Sequence, residues 1–501
     1  MIKKICAMFG MVLLAATFLM HVDSVTFANF TNTNTNVWIV AEDGTGDFST
    51  ICEAISNDNV SPGDVIFVRA GSYAENIVVN KSISLIGENP YSTKICGDNT
   101  TGSVIYINVD DVKIINFTIT GSGTRPPHSA IYVNSSNRIT ISYNRIIGNN
   151  NGISLYSSAN DLIFGNIIEN NNLYGVFSAA LRNSLIINNI IVNNGQGITF
   201  YVSANNYIVG NDIKNSVSEG IYLYISSGNV IYHNNFQNMR QVWSNAPNIW
   251  DYSGEGNYWS DYKGSDFYKG LYQNETGGDG IGDEPYIIDE YNYDNFPLMG
   301  RCSFYNINFE AESYQLTLIS NSTISNFNFT VGIETGNKII SFNVAGEDGS
   351  AGFCRVSIPT QLMNYAVIIL VDYEEVAPTL LSSTETCMKI YLAYNHSVRT
   401  ITIISSKALT LYNALLAEHT QLQEKFSSLN TSYYGLLNNF LSLLNDYQQL
   451  RDNYTDLYNF YNELLQKYNE SSQNIQALVY AFITAITMFT VVTIYLSKQH
   501  A

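Results

Sequence analysis

The sequence predicts an all-β fold that begins with a parallel β-solenoid and continues into a β-sandwich, a coiled coil and one membrane-spanning helix. Three observations support this prediction: a repeat of 22 to 24 residues between Ser129 and Phe236, short alternating apolar runs within each repeat, and a change to a period of seven near the C-terminus. A fixed period of this length indicates stacked copies of one unit, because a single unit cannot bury its own apolar face.

Each repeat contains a Gly that begins one apolar run and an Asn that begins another. The runs are three to five residues long and alternate with a period of two, which favours three short strands per coil over helix pairs. Stacking predicts one interior column of apolar side chains and one ladder of amide hydrogen bonds. The interior column is Ile153, Val176, Ile198 and Ile221, the Gly column is Gly152, Gly175, Gly197 and Gly220, and the Asn column is Asn144, Asn166, Asn189, Asn211 and Asn235.

The same pattern of short apolar runs continues upstream of Ser129 but is less regular, as expected for the terminal coils of a solenoid. The predicted solenoid domain covers residues 37–300, and its C-terminal cap covers residues 237–300. The insertion at 121–128 is predicted to be a projecting loop. Residues 301–404 lose the period and show alternating strands about every ten residues, with Gly and Asn turns between them. This pattern is typical of a β-sandwich of the immunoglobulin-like kind.

A heptad repeat follows the predicted sandwich. Every seventh residue from Leu415 to Leu464 is Leu, and the residue four positions after each is His419, then Phe or Tyr up to Tyr468. Leu at d and an aromatic residue at a predict a left-handed coiled coil over residues 405–472. Because bulky rings fit poorly at a in a two-stranded core, we expect a parallel homo-oligomer of higher order. The alternative is a bundle with another protein.

Both ends of the chain indicate a membrane address. Lys3 and Lys4 precede an apolar stretch, which is the form of a secretory signal peptide over residues 1–28. Residues 475–496 carry no charge and span about 33 Å as a helix, enough to cross a bilayer once. We therefore expect a single-pass protein of the cell membrane with a large extracellular part and a short cytoplasmic tail at 497–501.

The net charge of −19 and the lack of a basic run argue against nucleic acid as a partner. Many Asn-X-Ser/Thr acceptors, such as Asn80, Asn274 and Asn395, agree with an extracellular glycoprotein. Five cysteines follow the signal segment, namely Cys52, Cys96, Cys302, Cys354 and Cys387. Their spacing does not resemble a metal site, and we expect a disulfide between Cys354 and Cys387.

Two stretches resemble a known family. Residues 37–87, with Asp43-Gly44-Thr45-Gly46-Asp47-Phe48, resemble the opening of pectin-esterase-like and NosD-like right-handed β-helix proteins. Gly256-Asn257-Tyr258-Trp259-Ser260-Asp261-Tyr262 and Asp279-Gly280-Ile281-Gly282-Asp283 look like the closing segment of NosD-like domains in archaeal surface proteins. The repeats are similar to the carbohydrate-binding-and-sugar-hydrolase (CASH) class. The resemblance implies a right-handed parallel β-helix over about residues 37–300.

The NosD family name implies copper binding, which needs converging His, Cys or Met ligands. In this sequence the histidines are scattered over separate segments, and His233 with Met239 is the nearest pair. We therefore do not expect copper. A NosD-type periplasmic copper-binding accessory protein remains a second alternative function.

A polysaccharide lyase or esterase is the first alternative. Asp161-Leu162-Ile163-Phe164-Gly165 resembles the catalytic motif of pectin esterases. The repeat explains this motif as scaffold, because the phrases that begin at Asn183 and Asn205 align with it. Acid–base catalysis needs paired carboxylates, and none stacks beside Asp161 in the repeat. No catalytic residue is therefore predicted.

Acidic residues separated by glycines mark the cap. Asp279 and Asp283, with Asp261 or Asp266, resemble the hard-oxygen ligands of a calcium loop, although the EF-hand pattern is absent. These residues form the predicted metal site, and calcium is the cofactor considered. The alternative is a turn-rich cap in which the carboxylates accept hydrogen bonds from backbone amides.

Aromatic residues also gather near the cap, and exposed rings are a common platform for sugars. The predicted carbohydrate-binding residues are Trp243, Trp250, Tyr258, Trp259 and Tyr262. The alternative is that these rings cover the open end of the solenoid core. Together these features predict a membrane-anchored surface protein for recognition or adhesion, with a carbohydrate or glycoprotein ligand.

Overall fold

The computed structural model of the chain describes residues 35–270 and 272–499. The predicted signal peptide at 1–28 and the last two tail residues lie outside the described residues. The structure divides after Lys407 into two compact units. The first contains the solenoid and the sandwich, and the second is a single helix.

The solenoid is a right-handed parallel β-helix of about eight coils, each of which contributes one strand to each of three sheets. Sheet 1 contains β1 (Val37–Val40), β2 (Val65–Val68), β5 (Ser84–Gly87), β8 (Lys113–Ile115), β11 (Thr140–Ser142), β14 (Leu162–Phe164), β17 (Leu185–Ile187), β20 (Tyr207–Val209) and β23 (Val230–Tyr232). Sheet 2 contains β3 (Gly71–Tyr73), β6 (Thr93–Cys96), β9 (Thr118–Thr120), β12 (Arg145–Ile147), β15 (Ile167–Glu169), β18 (Ile190–Val192), β21 (Asp212–Lys214), β24 (Asn235–Gln237) and β26 (Tyr258–Trp259). Sheet 3 contains β4 (Ile77–Val79), β7 (Ile105–Ile107), β10 (Ser129–Asn134), β13 (Asn151–Tyr156), β16 (Tyr174–Ala179), β19 (Gln196–Tyr201), β22 (Glu219–Tyr224) and β25 (Arg240–Ser244).

The predicted interior column is confirmed. Ile153, Val176, Ile198 and Ile221 pair in register on neighbouring strands of sheet 3, and each is fully buried. The Gly column also has a structural reason. A Cβ at Gly152 would lie 2.4 Å from the carbonyl oxygen of Gly175, so no side chain fits between the coils.

The predicted amide ladder is confirmed in four of its five members. Asn144, Asn166, Asn189 and Asn211 lie one above another, and each donates its side-chain amide to the side-chain oxygen of the next Asn. The prediction was wrong at the fifth rung, which is Asn234 rather than Asn235, and the ladder continues from Asn234 to Asn257. Asn235 instead begins β24, and its side chain hydrogen-bonds the backbone of Cys302. The ladder supplies hydrogen-bond partners for the buried amides at this turn of successive coils.

Both ends of the solenoid core are covered. Helix α1 (Ile51–Ser56) buries Ile51, Ala54 and Ile55 at the N-terminal end. Residues 237–300 cover the other end and include two short hairpins, β27 (Tyr268–Lys269) with β28 (Glu275–Thr276), and β29 (Tyr286–Ile287) with β30 (Tyr293–Asp294). The 121–128 insertion is a loop, as predicted.

A β-sandwich follows directly, built from two five-stranded antiparallel sheets. The sheets share one apolar core, which includes Leu316, Phe342, Val356 and Ile403. One sheet contains β31 (Arg301–Phe309), β32 (Glu312–Ser320), β35 (Ala351–Pro359), β38 (Thr379–Ser383) and β39 (Cys387–Asn395). The other contains β33 (Thr323–Val331), β34 (Lys338–Ala345), β36 (Ala366–Val371), β37 (Glu374–Glu375) and β40 (Arg399–Ser406).

The expected disulfide between Cys354 and Cys387 is wrong. In the antiparallel pair β35–β39, Cys354 lies opposite Leu392 and Cys387 lies opposite Pro359. The two thiols are therefore five residues apart along the ladder, about 17 Å, which no disulfide can bridge. All five cysteines of the described residues are free thiols.

The second unit is one continuous helix, α2 (Lys407–Gln499), of 93 residues. By length and composition it is long and apolar enough to cross a membrane. The Leu residues of its heptads are exposed on the isolated helix.

Candidate functional site

The structure places the five predicted carbohydrate-binding residues in different environments, and two of them are buried in the core. Trp250 and Trp259 are each 1% exposed and belong to the solenoid core. Trp259 stacks between Phe236 and Tyr286, at centroid distances of 4.5 and 4.2 Å. These two indoles therefore cover the end of the core, which was the alternative interpretation, and no sugar ring can reach their faces.

The other three predicted residues lie apart from one another. Tyr258 packs in a small cluster with Ile281 and Leu298, and the Arg301 guanidinium lies 6.0 Å from its ring centroid. Tyr262 donates its hydroxyl to the carbonyl oxygen of Glu284 at 2.6 Å. Trp243 lies on β25, on the outer face of sheet 3. The five residues do not form one platform.

Trp243 instead ends a continuous line of rings that we call the aromatic row. Successive ring centroids lie 4.5 to 6.4 Å apart. The row crosses seven neighbouring strands of sheet 3, from β7 to β25, and is therefore about 29 Å long. Its members are Tyr106, Tyr132, Tyr156, Tyr174, Phe177, Tyr201, Tyr222, Tyr224 and Trp243.

The aromatic row offers hydroxyls along its length and one ring face at its end. Stacked pairs, such as Tyr106 with Tyr132 at an interplanar angle of 10°, cover each other's faces and leave ring edges. Trp243 stacks on Tyr222 at 4.5 Å, and because β25 is the last strand of sheet 3, no further coil covers its other face. Along the described chain, six hydroxyls of the row have no hydrogen-bonding partner in the protein, namely those of Tyr132, Tyr156, Tyr174, Tyr201, Tyr222 and Tyr224.

The hydroxyls of Tyr132, Tyr156, Tyr174 and Tyr222 stay protonated at physiological pH. Burial raises the pKa of the Tyr156 hydroxyl to about 12, and burial also raises the pKa of the hydroxyls of Tyr132, Tyr174 and Tyr222. A protonated phenol both donates and accepts a hydrogen bond. The row therefore presents the mixed donor and acceptor pattern that matches sugar hydroxyls.

The face that carries the row is nearly free of charge. In the six strands β10, β13, β16, β19, β22 and β25, the only charged residues are Glu219 and Arg240. Arg240 pairs with Glu219 at 3.1 Å, and Gln196 and Ser218 also donate to the Glu219 carboxylate. No second carboxylate lies on these strands, so the face lacks the carboxylate pair of an acid–base catalyst.

The structure places the acidic residues of the cap as acceptors of hydrogen bonds. The Asp266 carboxylate accepts the backbone N–H groups of Asp279 and Gly280, both at 2.9 Å. Asp283 accepts those of Phe267 and Tyr268, and the Asp261 carboxylate accepts the hydroxyl of Tyr286. Burial raises the pKa of Asp266 to about 6, and burial also raises that of Asp279.

This arrangement does not favour a hard cation. In the described ranges, no group of three or more His, Cys, Asp or Glu side chains is placed to hold a metal ion. The carboxylates of Asp266, Asp279 and Asp283 accept hydrogen bonds from backbone amides, as the alternative interpretation described, whereas that of Asp261 accepts from side chains. The calcium site stays a prediction.

Asp161 belongs to the scaffold in the structure. It is 1% exposed and lies in a second ladder with Ser184, Asn206 and Asn229, one per coil. The register pairs Leu162 with Leu185, so Asp161 aligns with Ser184, one residue later than the sequence alignment gave. The aromatic row lies on sheet 3, whereas Asp161 precedes a strand of sheet 1. Burial raises its pKa to about 7.

His233, which with Met239 is the nearest pair of possible copper ligands in the sequence, lies in an ion cluster between solenoid and sandwich. Its Nε2 contacts a Glu255 carboxylate oxygen at 2.8 Å, and the other Glu255 oxygen accepts from Arg355 at 2.8 Å and from Lys389 at 2.6 Å. Burial by itself raises the pKa of Glu255, but His233 and the two cations outweigh it and hold that pKa well below its usual range. Met239 is 94% exposed. These residues do not fit a copper site.

The family comparison agrees with the observed coils. Residues 57–264 match the family model described as periplasmic copper-binding protein (NosD). The chain contains a NosD-like parallel β-helix. A curated relative, the cell surface glycoprotein of Methanothermus fervidus, is 34% identical over 99 residues, which are 20% of this chain and 16% of that protein.

Other curated relatives of the NosD-like β-helix carry enzyme names. Pectinesterase 1 of Solanum lycopersicum is 41% identical over 64 residues, which are 12% of each chain. Pectinesterase 2 of Citrus sinensis is 28% identical over 116 residues, 21% of this chain and 23% of that one. The chain thus spans less than a quarter of the length of each of these relatives.

Two solved structures are similar to this chain at low sequence identity. The pectin methylesterase from Aspergillus niger in deglycosylated form is 15% identical, with a TM-score of 0.29 over 42% of this chain and 83% of that one. The enzymatically active domain of bacteriophage CBA120 tailspike protein 2 is 11% identical, with a TM-score of 0.27 over 68% of this chain and 72% of that one. No function follows from these likenesses.

Sequence reasoning missed most of the aromatic row, although a signal was present. Tyr132, Phe177 and Tyr222 occupy one phase of the repeat, and Tyr156, Tyr201 and Tyr224 occupy another two residues later. Both phases alternate with the apolar residues that point inward. Aromatic residues at the outward-facing positions of several successive coils were therefore the sequence signal for the aromatic row.

Proposed function

We propose that the protein is a membrane-anchored surface protein that recognises neutral glycan chains through the aromatic row. The observation that carries this proposal is the line of unpartnered phenol hydroxyls that ends at Trp243 on the last strand of sheet 3. The relative named cell surface glycoprotein and the apolar segment of α2 support a surface location, with the NosD-like β-helix outside. The same proposal includes that the protein is archaeal and that its β-helix is extracellular and glycosylated.

The dimensions and chemistry of the row favour an extended ligand. Coils repeat about every 4.8 Å, a step close to one sugar unit in an extended chain, so successive hydroxyls meet successive sugars. The indole of Trp243 stacks on the apolar face of a terminal ring. Because the row carries no unpaired cation and the chain has a net charge of −19, we expect neutral polymers to bind better than polyuronates.

The test is binding of the full-length protein in detergent to immobilised glucan, mannan and polygalacturonate. We expect binding to at least one neutral polymer, weakened about fivefold by Trp243→Ala, since loss of a ring contact costs about 1 kcal/mol. Tyr201→Phe removes one hydroxyl and keeps the ring, so it should weaken binding less than Tyr201→Ala. Tyr91→Ala is the matched control, because Tyr91 is 67% exposed and lies outside sheet 3.

Two results would contradict the proposal. One is unchanged binding after the Trp243 and Tyr201 substitutions, and the other is tighter binding of polygalacturonate than of any neutral polymer.

The same protein samples also test the enzymatic alternative that the pectinesterase names suggest. Release of methanol from added methyl-esterified pectin, or of shortened chains from polygalacturonate, would favour an esterase or lyase and would locate function away from the row. Calorimetric titration with calcium after chelation tests the predicted cap site independently.

A further inference from the structure

A broad apolar stripe runs along α2 without a partner in the isolated helix. The eight Leu residues at d, from Leu415 to Leu464, are 56 to 71% exposed. The aromatic residues at a from Phe426 to Tyr468 are similarly exposed, and five of the eight e positions are also apolar, at Leu416, Leu437, Leu444, Tyr458 and Leu465. A stripe of this length does not remain in water, and its strict period of seven fits another helix of the same kind.

The charges beside the stripe favour identical helices in parallel and in register. In that arrangement each g residue lies beside the e residue five positions later in the neighbouring helix. The only pair of this kind with two charged members is Asp446 with Arg451, and its charges are opposite. A C-terminal span in every copy also forces the helices to run in the same direction.

The same register continues into the apolar segment without a break. Steps of seven from Tyr468 reach Ile475, Phe482, Phe489 and Leu496 at a, and steps from Leu464 reach Ser471, Leu478, Ala485 and Val492 at d. The helix is unbroken across this junction, and residues 407–499 contain no Pro. In a bilayer, association depends on close packing, and Ala485 at d permits close approach of the backbones.

We infer that three or more copies of this chain associate through one parallel coiled coil whose interface continues from the stalk through the membrane span. The apolar stripe of each helix covers positions a, d and e and is therefore wider than the a and d stripe of a two-stranded coiled coil. The rings at a are also too bulky for a two-stranded core. The assembly joins several NosD-like β-helices to one anchor. Weak glycan contacts would then act together by multivalency.

The test uses single cysteine substitutions in the full-length protein in native membranes, followed by mild oxidation. Leu450→Cys and Val492→Cys place thiols at d in the stalk and in the span. Asp452→Cys and Ile494→Cys are the matched controls at f, two residues later on the opposite side of the helix. We expect disulfide-linked pairs from both d variants and only the wild-type background from both f variants.

The copy number is measured by light scattering of the detergent-solubilised protein against the chain mass of 55.9 kDa. A mass of one or two chains would overturn the assembly of three or more. Equal cross-linking at Val492 and Ile494 would overturn continuity through the span, even if the stalk associates. Neither outcome depends on sugar binding, so this inference and the proposed function fail separately.

Discussion

Replacing Asp161 with Asn is expected to stabilise the protein at pH 8. Asp161 occupies a ladder position that Asn206 and Asn229 fill in later coils. Its carboxylate accepts the backbone N–H of Ile139 at 2.9 Å and the hydroxyl of Ser158 at 2.5 Å. An Asn oxygen can accept the first of these bonds, and the substitution removes a buried charge.

The magnitude follows from the pKa of the carboxyl group. Burial raises the pKa of Asp161 from 3.8 in the unfolded chain to about 7 in the folded protein. The folded state therefore binds more protons between these values, so stability falls as pH rises from about 4 to about 7 and is constant above. Three units correspond to about 4 kcal/mol, and we expect Asp161→Asn to recover about 2 to 4 kcal/mol at pH 8 and little at pH 4.

The assay is thermal unfolding of the full-length protein, followed by tryptophan fluorescence at pH 4 and pH 8. We expect Asp161→Asn to raise the Tm by about 5 to 10 °C at pH 8. Asn206→Asp, the reverse change in the same ladder, should lower the Tm at pH 8 and have little effect at pH 4. A lower Tm for Asp161→Asn at pH 8 would refute the reasoning and would show that the carboxylate is needed in its charged form.

Three further predictions concern the scaffold. Glu255→Gln should destabilise the protein by about 3 to 5 kcal/mol, measured by thermal unfolding, because the buried Arg355 loses its nearest counter-charge and keeps only the Asp279 carboxylate at 3.5 Å. Trp259→Ala should cost about 3 to 5 kcal/mol through loss of its buried stacking partners, while glycan binding by the folded fraction stays unchanged. Gly175→Ala should cost about 1 to 3 kcal/mol in denaturant unfolding, because the new Cβ would lie 2.7 Å from the Gly197 oxygen.

Each of these changes has a contrary outcome. An unchanged Tm for Glu255→Gln would mean that the cluster between solenoid and sandwich does not stabilise their contact. Loss of glycan binding by folded Trp259→Ala protein would return function to the cap. A neutral Gly175→Ala would mean that neighbouring coils can separate locally at little cost. Substitution of Glu334, an exposed residue of a sandwich turn, by Gln is the common control.

Repetition made the solenoid predictable. Each coil repeats the same pattern, so an error in assigning one coil is revealed by comparison with the next. The interior column that contains Ile153 and the ladder from Asn144 to Asn211 could therefore be predicted from the period alone. The fifth rung was misassigned because two asparagines, Asn234 and Asn235, are adjacent, and only strand register separates them. The Cys354–Cys387 pairing failed for the same reason, because sequence distance does not report which residues lie opposite each other.

The candidate site was less predictable, since it depends on which side of a strand each ring occupies. The proximity of Trp243, Trp250 and Trp259 in sequence suggested one platform, but Trp243 lies on the outer face of sheet 3 whereas Trp250 and Trp259 are buried in the core. Trp250 and Trp259 were drawn into the open end of the solenoid because burying two indoles removes a large apolar area from water. Trp243, on a sheet strand, stayed outside.

The sequence by itself determined the coil period, the interior and amide columns, the apolar C-terminal segment and the heptads, because each is a local pattern repeated many times. Only the tertiary structure decided that Asp161 is a buried rung and that aromatic residues from seven coils form one surface. The physical reason is the stacking of coils about 4.8 Å apart, which brings into contact residues that lie 20 or more positions apart in the chain.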